Sequence, residues 1–86
     1  MSKRWRSVSG NDVYAVLGFA EMYLKRHMKD PESFTVVERH GVQQNDDGYR
    51  VILTYRARNG FGGMRVESAI VHLDEEKRGR KIITLD

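Results

Sequence analysis

The stretch Tyr49–Asp74 constrains this chain more than any other. Tyr49, Val51, Leu53, Tyr55 and Ala57 alternate with Arg50, Ile52, Thr54, Arg56 and Arg58. Successive side chains on a strand point to opposite faces, so this alternation requires extended chain with one apolar side and one arginine-bearing side. Asn59-Gly60-Phe61-Gly62-Gly63 then reverses the chain. Met64–Asp74 is strand-like but mixed in parity, with Val66 and Ile70 on one side and Ala69, Val71 and Leu73 on the other. That mixture predicts a β-bulge near Ser68–Ala69, which would bring both sets onto one face.

The flanking segments supply a helix and two more strands. Ser9 or Asn11 is placed to cap a helix start, with Asp12 in the first turn. Val13, Val16, Leu17, Ala20, Leu24, His27 and Met28 follow helical spacing, which predicts a helix running to about Lys29. Tyr14, Phe19, Met22 and Tyr23 add apolar surface beyond that stripe, enough to touch a second body. Asp30-Pro31 ends the helix, because the residue before proline is pushed out of helical geometry. Phe34–Gln43 reads as a strand, Gln44-Asn45-Asp46-Asp47-Gly48 as a hairpin turn, and Lys81–Leu85 as a short final strand. The expected fold is α+β. One N-terminal helix packs on a three- to four-stranded antiparallel sheet, in the order α-β-β-β-β, as two layers.

A chain of 86 residues is one domain with one small core. Residues 1–8 are read as a basic N-terminal arm, frayed or binding through Trp5, and 9–86 as the α+β domain. There is no cysteine, which excludes disulfides and a thiol nucleophile. No apolar run is long enough to span a bilayer, and no apolar segment follows the basic start as a signal peptide requires. A cytoplasmic location without membrane contact is therefore expected. The formal charge is +3, and ten of the fifteen basic residues are arginine. Arginine binds carboxylates and phosphates through a planar fork, so the bias suits an interaction surface.

Leu24-Lys25 through Lys29-Asp30-Pro31-Glu32-Ser33-Phe34, together with Tyr55-Arg56-Ala57-Arg58-Asn59-Gly60-Phe61-Gly62-Gly63, resemble a group of small bacterial and phage-borne domains. That group carries a KDP(D/E)S helix exit and a YRA(K/R)N-x-FGG hairpin, followed by a strand ending in Leu-Asp. The resemblance spans roughly Val13–Asp74. It implies a fold element and no catalytic residues, and it does not extend to Lys3-Arg4-Trp5-Arg6.

Motifs for chemistry are absent. Asn59–Gly63 precedes a strand, whereas a phosphate loop must open a helix. His27, His40 and His72 lack ligand spacing, so no metal or cofactor is expected. Glu67 is placed to pair across strands with Arg56 or Arg58. Phe61 at the turn tip either folds back onto the sheet or stands exposed as an anchor.

The expected function is therefore a non-enzymatic interaction module. It binds a protein partner through Arg50, Arg56, Arg58, Asn59, Phe61 and Arg65; the resemblance to phage-borne domains implies a mobile-element-encoded modulator of a host or defence protein. A homodimer through the helix or an edge strand fits the same features. The alternative is a nucleic-acid module using Lys3, Arg4, Trp5, Arg6 and the sheet arginines.

Overall fold

The computed structural model describes residues 4–85. Arg6–Ser7 form strand β1, Asn11–Arg26 helix α1, and Pro31–Ser33 a single 3-10 turn. Four longer strands follow: β2 (Thr35–Asn45), β3 (Gly48–Arg58), β4 (Met64–Asp74) and β5 (Gly79–Leu85). All pair antiparallel in the order β1-β2-β3-β4-β5, and α1 packs on one face. The architecture is the expected α+β layering, with five strands rather than three or four. The additional strand comes from the segment expected to be an arm. Arg6 and Ser7 pair with Gln44 and Gln43, and the Val8 N–H donates to the Val42 carbonyl at 3.0 Å. No helix among the described residues is long and apolar enough to cross a membrane.

The core follows from the two periodicities. Val16, Ala20 and Leu24, four residues apart on α1, are fully buried. They meet Tyr49, Val51, Leu53, Tyr55 and Ala57 from β3 and Ala69, Val71 and Leu73 from β4. Gly79 permits the close approach of α1 to β5, since a Cβ there would run into the Tyr23 ring. The helix boundaries differ from expectation at both ends. Gly10 occupies the N-cap at φ 79° with no side-chain cap, so neither Ser9 nor Asn11 caps. A sharp turn out of β1 needs that positive φ, which glycine adopts without strain. At the other end the His27 and Met28 N–H groups bond three residues back, to Leu24 and Lys25, and α1 stops at Arg26. His27 is exposed, with Nδ1 2.8 Å from the Tyr23 carbonyl oxygen.

The bulge expected at Ser68–Ala69 is absent. β3 and β4 pair without interruption from Gly48↔Asp74 to Arg58↔Met64. Val66 and Ile70 therefore remain on the face opposite the helix. The irregularities lie instead in β2, between Val36 and Glu38 and between Arg39 and Val42, and in the β4–β5 pairing at His72 and Leu73. The extra residues in β2 bend the part of that strand that β1 leaves uncovered, and a bent edge is a poor template for further pairing. Arg39 uses the resulting geometry to reach α1, its Nε donating to Glu21 at 2.6 Å.

Asparagine and aspartate build the hairpin turns. Asn45 Oδ1 accepts the Asp47 and Gly48 N–H groups at 2.8 and 3.1 Å. Asn59 Oδ1 accepts those of Phe61 and Gly63 at 2.9 and 3.0 Å. Asp74 Oδ1 accepts those of Glu76 and Arg78 at 2.8 and 2.9 Å. These bonds hold the Asp74 carboxyl below its usual range, the Arg78 N–H foremost. Each side chain satisfies two donors that the ladder leaves free.

The helix exit and the central hairpin are tied together. The Ser33 hydroxyl donates to the Asp30 carbonyl at 2.7 Å and accepts the Arg58 N–H at 2.8 Å. The Arg58 guanidinium lies 3.7 Å from the Asp30 carboxylate, and Phe34 packs 5.5 Å from Tyr55, centroid to centroid. The Lys29–Phe34 and Tyr55–Gly63 segments thus touch.

Candidate functional site

One helix covers one sheet face, and among the described residues no second layer covers the other. The register of β2–β5 arranges the open face in rows. Arg50, His72 and Lys81 form one, with Gln43 beside Arg50; Ile52, Ile70 and Ile83 form the next. Then come Thr54, Ser68 and Leu85, followed by Arg56 with Val66 and Arg58 with Met64. Ile52 and Ile70 are half-buried, while Ile83, Leu85, Met64 and Val66 are exposed. The result is an apolar strip crossing three strands, with cations on both sides.

The polar groups of this face are few and mostly satisfied. Thr54 Oγ1 lies 2.8 Å from Ser68 Oγ and 3.0 Å from His40 Nε2. Arg50 Nε donates to Gln43 Oε1 at 2.7 Å. Arg56 and Lys81 have no ion-pair partner among the described residues. Glu38, opposite Thr54, is the acid that stands within these rows, so the face is cationic.

Arg50, Arg56 and Arg58 therefore share a face as expected, although Arg58 is occupied by Asp30. Arg65 does not join them. It pairs with Ala57 in register and so lies on the helix side of the sheet. Glu67 is displaced for the same reason. It sits opposite Tyr55, away from Arg56 and Arg58. Burial, and secondarily the Glu67 charge, push the Tyr55 hydroxyl pKa up. Asn59 is committed to its own turn. Phe61 is fully exposed rather than folded back.

The basic N-terminal residues separate. Lys3 lies outside the described residues. Arg6 falls on β1, 3.9 Å from Asp46, and Arg4 precedes that strand. Trp5 packs on the sheet instead of projecting, with the Arg50 guanidinium 4.2 Å from its ring centroid and the His72 ring 6.0 Å away. Tyr49 and Tyr55 are buried on the helix side, so neither adds a ring to this face.

Two functional features were not anticipated from the sequence. The isoleucine row was signalled by the parity of Val66 and Ile70, which a bulge would have explained away. The grouping of Trp5 with His72, Arg80 and Lys81 depends on β1 and β5 pairing at the two margins of the sheet, and local pattern carries no signal for it. A smaller exposed patch on α1 comprises Tyr14, Phe19 and Met22 around Gly18. Among the described residues no group of three or more His, Cys, Asp or Glu side chains is placed to hold a metal ion. Comparisons with protein-family models, curated proteins and solved structures returned no significant match.

Proposed function

We propose that this domain binds a protein partner through the open face of its sheet. The observation that supports this reading is the uncovered isoleucine row flanked by Arg50, Arg56 and Lys81. A contiguous apolar strip exposed to water is costly, and a rim of one charge sign selects what covers it. The complementary surface is apolar at its centre and acidic at its edges. Phe61, fully exposed in the β3–β4 turn, serves as an anchor at the margin. No catalytic role is assigned to any residue.

The test compares capture by the wild-type domain with capture by Ile70→Glu and by Arg56→Glu, each checked for retained fold by circular dichroism. A nuclease-resistant protein that is held by the wild type and lost by both variants sustains the reading. Equal capture by all three removes the open face as the binding surface.

A second reading, nucleic acid on the same cations, draws on the pairing of Arg50 with Trp5. A salt titration separates the two, since each phosphate contact releases counterions and steepens the salt dependence. Trp5 and His72 are the rings that group together on this face among the described residues, and Trp5 is already covered by Arg50. Single strands are held largely by stacking on open rings, which favours protein.

A further inference from the structure

We propose that the cleft between Trp5, His72, Arg80 and Lys81 is an oxyanion site that takes a single phosphate group. The cleft has a volume of about 110 Å³ and is also walled by Asn45, Asp47, Gly48, Tyr49 and Leu73. At about 30 Å³ per water, that space holds a few water molecules. One phosphate group fits within it.

The charge in the wall is unbalanced. Arg80 and Lys81 have no ion-pair partner among the described residues, and Asp47 is the single acid beside them. Arg50 adds a third cation from behind the Trp5 ring. Arg80 enters the wall because β5 slips by one residue against β4, between Lys81↔His72 and Gly79↔Leu73. That slip sets two successive basic residues near one cleft, where regular alternation would separate them. The electrostatics agree with the geometry. Burial holds the His72 pKa below its ordinary value, and Lys81, Arg50 and Arg80 depress it further. The part of that depression due to the three cations reflects a positive potential, which a phosphate would relieve. This site lies one row beyond the isoleucine strip and does not depend on the protein-binding reading.

Trp5 is the chain's one tryptophan, so its fluorescence reports on the cleft directly. The experiment titrates inorganic phosphate into the protein at pH 7, with sodium chloride holding the ionic strength constant. The expected result is a saturable change in Trp5 emission. Lys81→Gln and Arg80→Gln should each weaken it about tenfold, the loss of one charge-assisted hydrogen bond. Arg56→Gln, at the far end of the face, should leave it unchanged. In parallel, the His72 ring followed by NMR should titrate at higher pH when phosphate is present. A non-saturating response, an equal response in the Lys81 and Arg80 variants, or a His72 titration blind to phosphate overturns the site. An octanucleotide arm identifies the source: tighter binding per phosphate than the inorganic ion assigns the site to a nucleic-acid backbone, and equal binding assigns it to a free phosphate.

Discussion

The Arg50 guanidinium lies 4.2 Å from the centroid of the Trp5 ring and ties the residue preceding β1 to β3. Arg50 Nε is simultaneously bonded to Gln43, so the cation is held from two sides. A frayed arm would contribute nothing to stability. Trp5→Ala should instead lower the unfolding free energy by about 1 kcal/mol, the scale of a cation–π contact with some packing. Urea denaturation measures it, and an unchanged midpoint would falsify the docked position of Trp5.

Gly48 has φ 150°, and a Cβ at this position would overlap the backbone of Leu73 and Asp74. Backbone cannot yield as a side-chain tip can. Gly48→Ala should therefore destabilise by well over about 1 kcal/mol, beyond the loss from an incompatible dihedral alone. Gly60→Ala, where nothing lies within 4 Å of the added carbon, is the control and should be nearly silent. Thermal melts of the two variants make the comparison.

Ser33 bridges the helix exit to the central hairpin through its bonds to Asp30 and Arg58. Ser33→Ala leaves the Arg58 N–H without that acceptor and should cost about 1 kcal/mol. Hydrogen exchange should show the Arg58 amide losing protection. Unaltered exchange there would argue that the two motifs fold independently.

Leu24 is fully buried at the C-terminal end of the helix stripe, and Phe61 is fully exposed. Leu24→Ala should cost about 2–5 kcal/mol through lost transfer energy and a cavity. Phe61→Ala should fall within about 0.5 kcal/mol of wild type, because it removes no packing. A large effect at Phe61 on folding would contradict its exposure, whereas an effect on partner capture alone is the expected result.

His72 supplies a pH dependence. Its pKa in the folded state is depressed below the ordinary 6.5, by burial first and then by Lys81, Arg50 and Arg80. The unfolded chain therefore binds a proton that the folded chain refuses. Stability from this group is complete above about pH 6.5 and falls as pH drops towards the folded pKa. His72→Gln should flatten that part of the stability curve, read from denaturation midpoints between pH 5 and pH 8. The Asp74 carboxyl, also depressed, acts at lower pH: its contribution is lost as pH falls through its folded pKa.

The amino-acid pattern by itself determined the hairpin, the helix and the face on which they meet. Alternation in Tyr49–Arg58 and the spacing of Val16, Ala20 and Leu24 are local periodicities, and each dictates its own element. The same alternation placed Arg50, Arg56 and Arg58 together, since residues two apart on a strand share a side. Tertiary structure decided the rest. Whether Val66 and Ile70 turn inward by a bulge or stay outward depends on strand register, which is set by pairing along the full length of β3 and β4. Register likewise sent Arg65 and Glu67 to the helix side. The Trp5 cleft joins chain from near both termini, brought to one end of the sheet by β1 and β5. No local sequence signal encodes such a contact, because its strength comes from burial and charge that exist only once the sheet has closed around it.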